Sequence, residues 1–327
     1  MVGETTFMPF RHGPKSNEEI GLDSASLSEF GKNAAQEKAK ELFLGIEKLQ
    51  EGSVIFVSTS STERAKQTRD LIEQELEKLV SGNNNYLITN VQNFSVRNYN
   101  ESGLKKIVDN PRLKILVIGL NPTSLLSTRS ESLQETDGGE KVVKVDANKY
   151  FIKCKNLFEK KDGGEGDRYD ESLVGELWLS QPDELLSIKD KIRKKYPTAD
   201  AESLNPKHFI ETPEDVAIKQ AMYFMRIAKI AKKYFGDRPI FSPSVTHSPK
   251  VDFLTMKLLG LTLNAENYRQ MGGQRTFLEE SKIILKEDSI CVEFRGKTNC
   301  LPQSNLAKII EELKHENEIR KNKWKQI

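Results

Sequence analysis

Phe7-Met8-Pro9-Phe10-Arg11-His12-Gly13 decides how this chain is read: a short apolar run ends on a guanidinium, an imidazole and a glycine. The run suits a short strand over Thr5–Phe10 that delivers Arg11-His12-Gly13 at its C-terminal end. Further along, Val54-Ile55-Phe56-Val57-Ser58 is a second continuous apolar run, the pattern of a strand covered on both faces. Between the two, Leu27, Phe30, Ala34, Ala35, Ala39, Leu42 and Phe43 recur at helical spacing, with Ser26 as the expected N-cap and Glu29 three residues on. After the second strand comes Ser60-Ser61-Thr62-Glu63-Arg64-Ala65-Lys66-Gln67-Thr68. It opens a helix that carries Leu71, Ile72, Leu76 and Leu79 and ends at Ser81-Gly82-Asn83-Asn84-Asn85. Strand, helix, strand, helix in this order predicts a parallel sheet flanked by helices.

The pairing of arginine with histidine has a chemical logic of its own. Phosphate monoesters hydrolyse very slowly unaided, and a covalent intermediate held among preorganised cations lowers that barrier. A neutral imidazole is a good nucleophile, and with an unperturbed pKa of about 6.5 it is mostly neutral at pH 7. Arg11 and Arg64 beside His12 would disfavour imidazolium and grip a dianionic phosphoryl group through forked donors. Such a set needs no metal and no cofactor. Read without its neighbours, Arg64 is a solvated helix residue paired with Glu63 or Asp70, and His12 an ordinary strand-end histidine.

Arg11-His12-Gly13, then Leu27-Ser28-Glu29-Phe30-Gly31, then Ser60 followed by Arg64-Ala65-x-Gln67-Thr68, resembles the histidine phosphatase (phosphoglycerate-mutase-like) superfamily. The resemblance implies an α/β protein of three α/β/α layers with a mostly parallel central sheet. The core would be 1–84 and 165–300, with a large inserted or capping segment at 85–164 and a charged C-terminal helix or tail at 301–327. It implies that His12 takes the phosphoryl group, that Gly13 turns the chain there, and that Arg11 and Arg64 clamp the phosphate. His247, in Val245-Thr246-His247-Ser248 after Ile240-Phe241, matches the family's second histidine, and Ser248 would line the substrate site beside it. Ser16 and Asn17 follow the first motif where polar phosphate contacts are common, at a different spacing. Glu171, in Glu171-Ser172-Leu173-Val174-Gly175, fits the local pattern of the family's general acid but lies far from Arg64 in sequence. Asp167, Asp170 and Glu176 are alternatives. Ser248 departs from the branch in which the acid directly follows the second histidine. His208 and His315 read as a packing histidine and a surface histidine.

The activity implied is metal-independent phosphomonoester hydrolysis through phosphohistidine, on a phosphorylated metabolite or phosphoprotein. A phosphomutase with the same intermediate, or a regulatory protein on a phosphatase fold, are the alternatives. Length and composition agree with a large α/β core: 327 residues, 30% charged, net charge +2. That balance gives no global field for nucleic acid or an anionic membrane, so neither is expected as a partner, and a homo-oligomer is left open. The first residues, Met1-Val2-Gly3-Glu4-Thr5, lack a basic leader and apolar core, and Cys154, Cys291 and Cys300 suggest neither a disulfide framework nor a zinc site. A cytoplasmic, reducing location is the expectation. The charge run from Lys314 to Lys325 reads as a solvated or frayed tail.

Overall fold

The computed structural model describes residues 4–14, 26–90, 112–120, 126, 171–195 and 211–325. In chain order, the first elements are β1 (Thr5–Arg11), α1 (Glu29–Glu47), β2 (Val54–Phe56), β3 (Ser58–Thr59), α2 (Glu63–Val80), β4 (Tyr86–Asn90) and β5 (Lys114–Ile118). Helices α3 (Glu171–Leu179), α4 (Pro182–Lys195) and α5 (Pro213–Phe235) follow, then β6 (Ile240–Thr246), α6 (Lys250–Leu258) and α7 (Ala265–Gln270). The chain closes with β7 (Lys282–Leu285), β8 (Ser289–Phe294), β9 (Lys297–Pro302) and α8 (Ser304–Lys325). Two compact units emerge: Met1–Ser127, Lys219–His247 and Thr276–Lys308 form one, and Thr128–Ile218, Ser248–Arg275 and Ile309–Ile327 the other.

The first unit is built on one sheet in the order β4-β5-β2-β6-β1-β7-β8-β9, with β3 also on β6. Pairing is parallel from β4 through to β1, then antiparallel from β1 to β7, β8 and β9. The protein is α/β as anticipated, but its sheet is mixed rather than mostly parallel. The physical reason lies in local turns: β8 and β9 are joined by Arg295-Gly296 alone, and both residues sit at positive φ (48° and 73°), the conformation of a tight hairpin turn. Strands β4 and β5 fall within 85–164, yet they pair in register with one another and β5 pairs with β2, so the sheet extends into that segment.

Alternation along the strands sorts the layers. Met8 and Phe10 of β1, with Ile55 of β2 and Val57 just after it, join Ala39, Leu42 and Ile46 of α1 and Ala65, Ile72 and Leu76 of α2 in one buried cluster. On the opposite face Phe7 stacks on Phe224 of α5, centroids 4.3 Å apart, and Phe56 meets Phe235 edge-on at 5.6 Å. Successive side chains of a strand point to opposite faces, which is why Phe7 and Met8 enter different layers. The run Val54–Ser58, read as one strand, is interrupted between β2 and β3. Pairing with β6 lapses opposite Pro243, which has no N–H to give the ladder.

Helix α1 is capped by Ser28 rather than the anticipated Ser26: the Ser28 hydroxyl accepts from the Gly31 N–H at 2.9 Å. At its other end Lys114 donates to the carbonyls of Ile46 (2.9 Å) and Glu47 (2.7 Å), supplying a cation that the last turn of α1 lacks. Cys291 and Cys300 face each other across β8 and β9 and form a disulfide, which corrects the reading of these cysteines as reduced. A count of three leaves one residue over but does not prevent one bridge, and such bridges persist in oxidising compartments.

Glu73 of α2 is buried and accepts from the Gly119 N–H at 3.2 and 3.3 Å, with Arg69 3.6 Å away. Burial pushes its carboxyl up to about 7, against the opposing pull of Arg69 and the Gly119 N–H. Because the folded-state pKa lies above the unfolded value, the unfolded chain gives up this proton first. Stability is therefore lost as pH rises from about 4.5 to about 7, by up to about 3 kcal/mol. Glu73→Gln should remove that slope while keeping an acceptor for Gly119. Urea unfolding from pH 4.5 to 8 checks it, and parallel pH profiles for wild type and variant would reject the assignment.

The elements described in the second unit are helices. Trp178 is buried, donates to the Glu211 carbonyl at 2.7 Å and meets Phe253 edge-on at 5.2 Å. Two ion pairs are fully enclosed, Arg275 with Asp252 and Arg320 with Glu214. The C-terminal segment is not a frayed tail: within α8, Leu313, Asn317, Arg320 and Trp324 are all buried.

Candidate functional site

The C-terminal ends of β1, β6 and β3 meet in the first unit. Arg11 pairs with Thr246, the His12 N–H donates to the Thr246 carbonyl at 3.0 Å, and the Ser60 N–H donates to the Val245 carbonyl at 2.9 Å. Three short backbone registers thus carry His12, His247 and Ser60 to one spot, the edge of a parallel sheet where α/β proteins bind ligands. The rings of His12 and His247 lie 5.0 Å apart at an interplanar angle of 62°. Arg11, His12 and His247 are 3%, 2% and 7% exposed, so this polar group is enclosed, not a surface accident.

Each ring is oriented by its neighbours. Nδ1 of His12 lies 2.7 Å from the Gly13 carbonyl oxygen, which can only accept. The proton of the neutral ring is therefore on Nδ1, and the lone pair on Nε2. Nε2 of His247 is hydrogen-bonded by the hydroxyls of Ser60, at 3.0 Å, and Thr62. Thr62 is the N-cap of α2 by position but makes no cap bond with its side chain, which is engaged with His247 instead.

The second motif acquires a sense residue by residue. Ala65 is fully buried in the α1/α2 cluster. Gln67 accepts from the Leu27 N–H at 2.9 Å, and Thr68 accepts from the Gly13 N–H at 3.1 Å while donating to the Arg64 carbonyl at 2.8 Å. Helix α2 thereby holds both the turn after His12 and the entry to α1. Glycine is required at position 31 for space, because a Cβ on Gly31 would sit 2.1 Å from the Pro14 carbonyl oxygen; one on Gly13 would crowd the Gly31 oxygen at 3.0 Å.

Arg64 lies two residues after Thr62 and one turn before Thr68, between the contacts to the two histidine segments. Its Nη1 is buried and has no hydrogen-bond partner among the described residues. The acids that would make it an ordinary surface arginine are engaged elsewhere, Glu63 with Lys66 and Asp70 with Arg69. A buried guanidinium nitrogen with no acceptor among the described residues calls for an explanation, since such groups are ordinarily paired.

Other expected residues stand apart or outside. Ser16, Asn17, Asp167, Asp170 and His208 lie outside the described residues. Ser248, beyond the last residue of the first unit, donates to Asp252 at 3.3 Å, so its hydroxyl already has an acceptor. Glu171 opens α3 in the second unit. The glycine of its pattern has a packing reason of its own, because a Cβ on Gly175 would approach the Tyr268 ring to 2.8 Å. Glu176 is held by Arg269 at 2.7 Å and Lys191 at 3.1 Å. His315 is exposed on α8. One neighbour of the site escaped the sequence reading altogether: Phe277, whose ring lies 4.0 Å from the Arg11 guanidinium carbon and 5.9 Å from the His12 ring.

Comparison with known proteins gives a family. The model of the hypothetical lipoprotein (MG045 family) matches residues 23–222, and the chain belongs to that family. This overturns the expected cytoplasmic location, which had rested on the first residues and the cysteine count. No curated protein gives a significant match. Among solved structures, phosphoglycerate mutase from Bacillus anthracis str. Sterne is 14% identical, with 96% of this chain and 98% of that one covered and a TM-score of 0.38. Mycobacterial glucosyl-3-phosphoglycerate phosphatase is 13% identical, with 91% and 96% covered and a TM-score of 0.39. Phosphoglycerate mutase from Plasmodium falciparum is 11% identical, with 92% and 96% covered and a TM-score of 0.31. Likenesses this weak assign no activity to the chain.

Proposed function

We propose that this protein is a metal-independent phosphomonoesterase that works through a phosphohistidine on His12. The observation that carries the reading is the enclosed pair of histidines at adjacent strand ends, with Arg11 next to His12 in the chain and, at the start of α2, a buried Arg64 nitrogen without an acceptor among the described residues. Nε2 of His12 attacks phosphorus, the bond to the ester oxygen breaks, and that oxygen takes a proton from a carboxylic acid. Water then attacks the phosphorus, the P–N bond breaks, and inorganic phosphate leaves. Arg11, Arg64 and His247 stabilise the charge on the equatorial oxygens throughout. Membership in a family described as lipoprotein adds a membrane-attached setting to this activity.

Hydrolysis of an aryl phosphate, inhibited by vanadate and indifferent to chelators, is the expected result. Arg64→Lys keeps the charge and loses the fork, so kcat/KM should fall at least about ten-fold, or about 1.4 kcal/mol of transition-state stabilisation. Failure of the wild type to hydrolyse any phosphate ester or to bind vanadate would sink the reading. So would activity lost in chelator and restored by a divalent cation.

A further inference from the structure

We propose that Phe277 is a positioning residue for Arg11, fixing the plane of its guanidinium so that the N–H edge meets the phosphoryl oxygens. This rests on the phosphatase reading of the site. The guanidinium carbon lies 4.0 Å from the centroid of the Phe277 ring, within the range of a cation–π contact. The same ring is tilted against His12 at 5.9 Å. One aromatic side chain thus lies against both Arg11 and His12. Arg11 is 3% exposed, and in such surroundings the attraction between cation and ring face is little weakened by water. A ring covering one face of the guanidinium leaves the in-plane donors as the part that can reach an anion.

The backbone around Phe277 is arranged to keep the ring there. Leu278 has φ 60°, which a γ-branched side chain rarely adopts, and such outliers persist only where the surroundings impose them. Here the surroundings are explicit. The Leu278 N–H donates to the Arg11 carbonyl at 3.1 Å and the Ser281 N–H to the Pro9 carbonyl at 3.1 Å, while Phe10 and Glu280 form a β-bridge. The segment is therefore fastened to β1 directly beside the residue that its ring touches. The turn is closed by Glu279, which accepts from the Thr276 N–H at 2.8 Å and is gripped by Arg295 at 2.6 and 2.8 Å. A loop whose only task was to reach β7 would not need a strained residue tied to the carbonyl of Arg11.

The test compares Phe277→Leu, which keeps an apolar side chain without a ring, with Phe277→Tyr, which keeps the ring. In full-length protein, the leucine variant should lose about ten-fold in kcat on an aryl phosphate, with KM changed less than three-fold and vanadate inhibition weakened in proportion. The tyrosine variant should stay within two-fold of wild type, and the unfolding midpoints of both should match it. Independently of activity, the Arg11 Nε–H resonance should carry a ring-current shift that Phe277→Leu abolishes. Unchanged kcat and vanadate affinity in Phe277→Leu, or a tyrosine variant as impaired as the leucine one, would overturn the proposal. A wild type that neither turns over nor binds vanadate removes the phosphatase reading instead, and the Arg11 resonance then decides on its own whether the ring orients the guanidinium.

Discussion

His12→Ala is expected to lower the hydrolysis of an aryl phosphate by about 10⁴-fold or more while leaving the fold intact. Losses of this order accompany removal of a nucleophile that acts in concert with its surroundings, and they correspond to about 5.5 kcal/mol of barrier. The geometry says why no neighbour replaces it. Nδ1 of His12 faces the Gly13 carbonyl, which directs the reactive lone pair to Nε2, whereas Nε2 of His247 is engaged by Ser60 and Thr62. Two similar rings 5.0 Å apart thereby sit in different hydrogen-bond settings. Acid-labile, base-stable label on the wild type after quenching with labelled substrate should vanish in His12→Ala and persist in a slowed form in His247→Ala. Full activity in His12→Ala, or label that moves to another residue without loss of rate, would reject phosphohistidine chemistry at this position.

The parts of this arrangement that could be read in the sequence are those written locally. Phe7–Phe10 and Val54–Val57 are short continuous apolar runs, the pattern that strands covered on both faces need. Arg64, Gln67 and Thr68 recur on successive turns of one helix, so their spacing announces a shared task even before the partners Gly13 and Leu27 are known. Phe277 carried no such signal. Its significance depends on an antiparallel bond between Leu278 and Arg11, more than two hundred and sixty residues apart, and on a positive φ that nothing in Thr276-Phe277-Leu278-Glu279 announces. The mixed character of the sheet was hidden in the same way, because the turn between β8 and β9 is built from Arg295-Gly296 rather than a more recognisable Asn-Gly. The location failed for another reason. Composition reports surface charge and cysteine number, and neither carries the information that family membership supplied.

The C-terminal helix offers the sharpest case of a misread pattern, and it leads to the largest stability effect expected here. Lys314 to Lys325 is dense in charge, but Leu313, Asn317, Arg320 and Trp324 follow one another at four, three and four residues, a single helical face. That face is buried, with Arg320 only 2% exposed. Its Nε donates to both oxygens of Glu214 at 2.9 and 2.8 Å, and Nη1 reaches the carbonyls of Leu179 at 3.1 Å and Ser180 at 3.3 Å. Nη2 donates to the Leu263 carbonyl at 2.5 Å. One side chain thus ties α8 to the start of α5, to the end of α3 and to the loop before α7. Arg320→Ala leaves a buried carboxylate without its cation and three carbonyls without a donor, so it should cost about 3–5 kcal/mol, much of a typical domain's stability. Burial already raises the Glu214 pKa against the pull of Arg320, and removing that pull raises it further. The unfolded chain then loses this proton first, so the defect should be worst at neutral and higher pH and partly relieved as pH falls towards the ordinary carboxylate range. Adding Glu214→Gln to Arg320→Ala should recover part of the loss, because the uncompensated charge goes with it. Urea unfolding of the three variants between pH 5 and 8 provides the measurement. A change below about 1 kcal/mol in Arg320→Ala at pH 8 would mean that the helix end is solvated after all, since only exposed pairs are that weak.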